Sequence, residues 1–259
     1  MIIDLHNHTV LCNHAQGTID EYILQAIKSG TKIFGFSEHA PMDFDPKYRL
    51  SFEQMDIYEK NVLNAKKKYE KDIEILLGYE VDYLQGHMDQ RVLNAKVDYL
   101  IGSVHFIDKW GFDNPEFIGR YEDENIDDIW QKYFDTIEKM AQSKLFDIVG
   151  HLDLIKVFKF MPSKNILDIA RKALIAIKDA DMVLEINMAG YRKPIKEAYP
   201  SKELLEAAFA LAIPISFSSD AHKPEQVSLF SQEILSLARS VGYKQCATFK
   251  NRQRRMINF

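Results

Sequence analysis

Seven of the chain's eight histidines stand at or just beyond the end of an apolar run: His6, His8, His14, His39, His105, His151 and His222. Glu80 and Asp220 occupy equivalent places, and His87 alone falls elsewhere, in a stretch that reads as helix. The pattern starts with Met1–Leu5, the length of a buried strand interrupted only by Asp4. Alternate residues of an extended backbone face one side, so His6 and His8 converge on one point and form half of a transition-metal site. One buried histidine is more often satisfied by a backbone carbonyl than by a metal. Six separate strands that each deliver a metal-competent side chain at the same end are not explained that way.

Nine such side chains are too many for one ion and suit two or three. Imidazole mixed with carboxylate favours Zn, Mn or Fe, and the lack of nearby thiols argues against a structural zinc. Cys12 is the exception, read here as loop packing. Cations with open positions are suited to hydrolysing phosphate esters, because they generate hydroxide near neutral pH and neutralise charge on the transferring group.

Positioning these residues requires seven strand-then-helix units. The strands are expected at Met1–Leu5, Ile33–Phe36, Ile73–Leu77, Tyr99–Val104, Phe146–Val149, Met182–Ile186 and Ile213–Phe217. The intervening helices include one opened by a Thr18/Glu21 capping box and closed by Gly30. Others run from Ser51 to about Lys71, near His87 to Ala95, Ile126–Gln142, Ser163–Ala180, Ser201–Leu211 and Glu225–Val241. Such alternation implies a parallel sheet with helices outside. Without a Gly-rich phosphate fingerprint a closed barrel is favoured over a doubly wound sheet, and barrels place their chemistry at the C-terminal ends of the strands. Seven units, one short of the usual eight, predict an α/β fold with a distorted, TIM-like (β/α)7 barrel. The long loop from Phe106 to Glu124 reads as a lid or binding loop.

Composition narrows the function. At 259 residues, 46% apolar and 27% charged, the chain has ample core for one such domain spanning 1–259. A net charge of -5 argues against nucleic acid or an anionic membrane as main partner. The basic cluster Arg252-Gln253-Arg254-Arg255 reads as a solvated tail. Two cysteines and no basic-then-apolar leader predict a cytoplasmic protein.

The residues also match a family. The chain resembles the PHP (polymerase and histidinol phosphatase) phosphoesterases, and within them the histidinol-phosphatase branch. The resemblance is carried by Asp4-Leu5-His6-Asn7-His8-Thr9, Cys12-Asn13-His14-Ala15, Ser37-Glu38-His39-Ala40-Pro41 and Gly78-Tyr79-Glu80-Val81-Asp82-Tyr83. It continues with Gly102-Ser103-Val104-His105-Phe106, Gly150-His151-Leu152-Asp153-Leu154, Asn187-Met188-Ala189-Gly190-Tyr191-Arg192-Lys193-Pro194 and Ser219-Asp220-Ala221-His222. It implies a trinuclear site in which His6, His8, Glu80 and Asp220 hold one ion. A bridging Glu80 with His105 and His151 would hold a second, and His14, His39 and His222 the third.

The expected activity is metal-dependent hydrolysis of a small-molecule phosphate monoester, L-histidinol phosphate, with Glu80, Asp220 and Arg192 as catalytic residues. Arg192 is the expected phosphate binder, through a bidentate guanidinium. Lys156 or Lys159 are further phosphate candidates. Phe106, Trp110 and Phe112 are candidates to pack on an imidazole, and Glu38, Asp43 and Asp82 to face an ammonium. Asp220 is one candidate for protonating the leaving group. Two alternatives remain open at this point: a phosphoesterase or nuclease acting on another ester, and a non-catalytic metal-stabilised scaffold.

Overall fold

Thr18 caps the first helix in the expected manner, accepting from Glu21 N while the Glu21 carboxylate accepts from Thr18 N, and Gly30 ends it with a φ of 78°. In the computed structural model, which describes residues 1–259, the chain begins β1 (Ile3–Asp4), α1 (Ile19–Lys28), β2 (Ile33–His39), α2 (Met55–Lys68), β3 (Glu74–Asp82), α3 (Gln90–Leu93) and β4 (Tyr99–Ser103). A small hairpin, β5 (Phe106–Ile107) and β6 (Trp110–Gly111), precedes α4 (Arg120–Asp123), α5 (Ile126–Ser143), β7 (Ile148–Val149), α6 (Ile166–Asp179) and β8 (Val183–Asn187). The chain ends with α7 (Ala189–Arg192), α8 (Lys202–Ala210), β9 (Ile215–Ser218), α9 (Ser231–Val241) and the pair β10 (Gln245–Lys250) and β11 (Gln253–Asn258).

Seven strands lie side by side in the order β1-β2-β3-β4-β7-β8-β9, every pair parallel. The two ends of this sheet meet. Leu5 N donates to Phe217 O at 3.0 Å, Asp220 N to His6 O at 2.7 Å and His8 N to Ala221 O at 3.0 Å. These bonds close the distorted (β/α)7 barrel. Its interior is filled by side chains, as a small barrel must be. Tyr99 reaches across it to donate to Leu5 O at 2.5 Å. The ring takes the space left by Gly35 and Gly78, where a Cβ would sit 2.1 Å from the Tyr99 hydroxyl and 2.6 Å from its ring. The amphipathic helices cover the outside, α5 and α6 burying Ile129, Trp130, Ile137, Ile169 and Leu174.

Three expectations are corrected. Strands β2 and β3 run through His39 and Asp82, so His39 and Glu80 lie on regular strand and are held by the ladder itself. His87 lies in a turn before α3, not on a helix. The basic C-terminus is not a solvated tail but the strand β11, paired antiparallel to β10. This hairpin caps the N-terminal end of the barrel, where Arg252 pairs with Asp147, Arg254 with Asp181 and Arg255 with Glu74. No helix is long and apolar enough to cross a membrane.

Candidate metal centre

Strand register brings the nine expected residues to the C-terminal mouth of the barrel. His39 is the ladder partner of Glu80, and the bridge between Asn7 and Ala221 sets His6 and His8 beside Asp220 and His222. Glu80, 1% exposed, stands at the centre. Its Oε2 lies 3.2 Å from His6 Nε2, 3.7 Å from His8 Nε2 and 2.8 Å from His39 Nδ1. Its Oε1 lies 3.0 Å from His151 Nε2 and 3.6 Å from His105 Nε2. Asp220 Oδ1 is 3.4 Å from His8 Nε2. Three groups of donors therefore form: His6, His8 and Glu80; Glu80, His105 and His151; and His14, His39 and His222, the donor atoms of each within 4.8 Å of one another.

The far nitrogen of most rings is already committed, which fixes the near one toward the cleft. His6 Nδ1 donates to Glu185 at 2.6 Å, His105 Nδ1 to Asp82 at 2.7 Å and His8 Nδ1 to Glu38 at 3.2 Å. His14 Nδ1 donates to Cys12 O at 2.9 Å. The opposing Nε2 atoms of His6, His8 and His222 are buried with no hydrogen-bond partner. Buried polar atoms left unpaired are costly, and a converging set of them is the signature of a site built for cations. The donor set is imidazole and carboxylate, which fits divalent transition metals.

The protonation states divide by neighbour. Burial opposes charge on His8 and His105, but Asp220 and Glu38 raise His8 to about 9, and Asp82 and Glu80 raise His105 to about 10. His6 goes well above its ordinary value for the same reason, through Glu185, Glu80 and Asp220. Burial together with the charge on His8 takes His39 down to about 4. Against the cost of burial, the surrounding imidazoles hold Glu80 and Asp220 well below the usual carboxylate range.

The mouth opens into a cleft of about 380 Å³ lined by His14, His39, Glu80, His105, His151, Asp220 and His222, together with Asp113, Arg192, Lys193, Tyr199 and Gln226. Arg192 ends α7. Its Nη2 donates to Ser219 O at 2.9 Å and Asp220 O at 2.7 Å, which leaves Nη1 without a partner. Gly190 permits this turn to pack, since a Cβ there would lie 1.9 Å from Glu197 O.

Several expected substrate contacts lie elsewhere. Lys156 is 1% exposed, its ammonium held at 2.9 Å by each of Asp153, Glu197 and Ala198 O, so it braces the loop after α7 and does not meet a phosphate. Lys159 is exposed and outside the cleft. Phe106 packs on Phe44, Met42 and Leu84, while Trp110 and Phe112 are buried in the core. Both Asp82 oxygens are taken, by His105 Nδ1 and by Arg49 Nη1 at 2.6 Å. Glu38 is spent on His8 and Thr9, and Asp43 on His87.

Glu185 escaped notice in the sequence. It receives His6 Nδ1 and, at 2.7 Å, the His151 backbone N–H. The signal was an acid inside the apolar run Met182–Ile186, since a carboxylate on a buried strand needs partners. Cys12 is closer to the centre than loop packing implied: its sulfur forms a further donor group with His8 and His222. Burial pushes its thiol pKa up, and it donates to Thr9 O.

A family model described as "PHP domain" matches residues 4–189. A Deinococcus radiodurans protein named "Probable histidinol-phosphatase" is 36% identical over 257 residues, covering 97% of this chain and 98% of its own. The "Histidinol-phosphatase" of Bacillus subtilis is 28% identical, covering 86% of this chain and 94% of its own. Among solved structures, the histidinol phosphate phosphatase of Lactococcus lactis, complexed with zinc, L-histidinol and phosphate, superposes with a TM-score of 0.80 at 20% identity, over 98% of both chains. That last likeness is one of fold.

Proposed function

Because the chain belongs to the PHP domain family, we propose that its cleft hydrolyses L-histidinol phosphate to L-histidinol and phosphate, with divalent transition metals as cofactors. The observation that carries this is the sharing of Glu80 between two donor groups, beside a cleft-lining arginine whose buried Nη1 has no hydrogen-bond partner. His6, His8, Glu80 and Asp220 would hold one ion, Glu80, His105 and His151 a second, and His14, His39 and His222 a third. Such ions supply a water of lowered pKa and positive charge for the phosphoryl oxygens.

The chain's own residues do the rest. Glu185, Glu38 and Asp82 hold the imidazoles so that the donor atoms do not reorganise during turnover. Arg192 donates through Nη1 to a phosphoryl oxygen, while its Nη2 stays fixed on the Ser219 and Asp220 carbonyls. That anchoring makes it a preorganised donor aimed at charge that builds up in the transition state. The assignment to histidinol phosphate draws on the Deinococcus and Bacillus relatives. Steady-state phosphate release from L-histidinol phosphate and from a panel of other phosphomonoesters tests it. The expected result is the highest kcat/KM for histidinol phosphate; a higher value for an unrelated ester would overturn the substrate while leaving the chemistry.

A further inference from the structure

Three carboxylates line the cleft, Glu80, Asp220 and Asp113. The first two are enclosed by imidazoles at 2.8–3.7 Å. Asp113 belongs to none of the donor groups and makes no hydrogen bond or ion pair within the chain. It is nevertheless firmly placed. Phe112, fully buried, packs edge-on against Tyr133 at 5.3 Å and Trp110 at 6.3 Å, and Asn114 caps the turn at Pro115–Phe117. An anchored residue on each side fixes the backbone of Asp113 at the cleft wall, close enough for its charge to act on His105 and Tyr199.

We propose that Asp113 selects substrates that carry an ammonium group next to the phosphate ester. This rests on the phosphomonoesterase reading above. Cations held by these donors, together with Arg192, would supply the positive field that a phosphate needs, and a substrate that is only an anion has no use for a free carboxylate at the same wall. Such a group would repel it. An aminoalkyl phosphate gains from the carboxylate, because its ammonium finds a charged acceptor in a partly desolvated cleft. The unpaired state of Asp113 then has a function: the partner arrives with the substrate.

The test compares L-histidinol phosphate with its des-amino counterpart, an imidazolylpropyl phosphate identical but for the amine. The quantity read is the ratio of the two kcat/KM values in the metal-loaded wild type, Asp113→Asn and Asp113→Glu. Wild type should favour the amine. Asp113→Asn should lower that ratio by about 10–100-fold, the worth of a hydrogen bond to a charged group, and Asp113→Glu should restore part of it. An unchanged ratio in Asp113→Asn would overturn the proposal. If wild type turns over neither imidazole compound, phosphoethanolamine and ethyl phosphate replace them and the same ratio decides, so the choice of substrate can fail without Asp113 failing. A wild type inactive on every phosphomonoester overturns both readings.

Discussion

At the scale of single residues, the site depends on which atoms are already committed. Arg192 spends Nη2 on two carbonyls and keeps Nη1 free. Arg192→Ala should therefore lower kcat/KM for histidinol phosphate by about 2–4 kcal/mol, and Arg192→Lys should recover only part, since an ammonium keeps the charge but not the fork. Metal content measured on the same samples separates loss of phosphate binding from displacement of Asp220, whose carbonyl Arg192 also holds. Wild-type kinetics in Arg192→Ala would remove arginine from the chemistry. The nine inward residues were legible in the sequence because His, Glu and Asp at strand ends have few structural uses. The residues behind them were not. Asp82 and Glu38 read as free carboxylates, because nothing in a linear pattern shows that a histidine at the end of the neighbouring strand has taken them. Lys156 misled for the same reason: its partner Glu197 lies on a loop 41 residues later.

At the scale of elements, apolar runs gave the seven strands and their order, but not where each strand stops. Polar residues end a hydrophobic pattern without ending a ladder, so β2 and β3 continue through His39 and Glu80 on backbone hydrogen bonds alone. The C-terminal hairpin was hidden by its turn. Asn251 and Arg252 both have positive φ, 50° and 64°, as a two-residue hairpin turn requires, yet the usual glycine in second place is an arginine. Inside the barrel, Tyr99 ties β4 to the backbone after β1 and, at 3.3 Å, to Phe36 O on β2. Tyr99→Phe keeps the ring and removes these bonds, so it should cost about 1–3 kcal/mol in denaturant unfolding of the metal-loaded protein. An unchanged midpoint and slope would show that the hydroxyl does not tie β4 to β1 and β2.

At the scale of the whole molecule, charge and metal are coupled. In the metal-free chain His8 titrates at about 9 and His105 at about 10, so both are protonated at neutral pH. Metals bind neutral imidazole, and loading at pH 7 should release at least these two protons. Calorimetric titration in buffers of different ionisation heat reads that number directly; release of none would contradict it. The sign for stability follows from the same shifts. Raised histidines stabilise the metal-free fold fully below about pH 6.5, their unfolded value. That contribution is lost as pH rises through about 9 to 10, where apparent metal affinity should in turn level off.

The central claim is that hydrolysis depends on cations gathered around Glu80. The most direct test strips the protein with chelator and follows kcat/KM for L-histidinol phosphate as Zn, Mn or Fe is returned. Turnover should be absent after stripping and should return with two to three bound equivalents per chain, and Glu80→Ala should show neither the recovery nor the full metal content. Undiminished hydrolysis by the stripped protein, or full recovery in Glu80→Ala, would contradict the account.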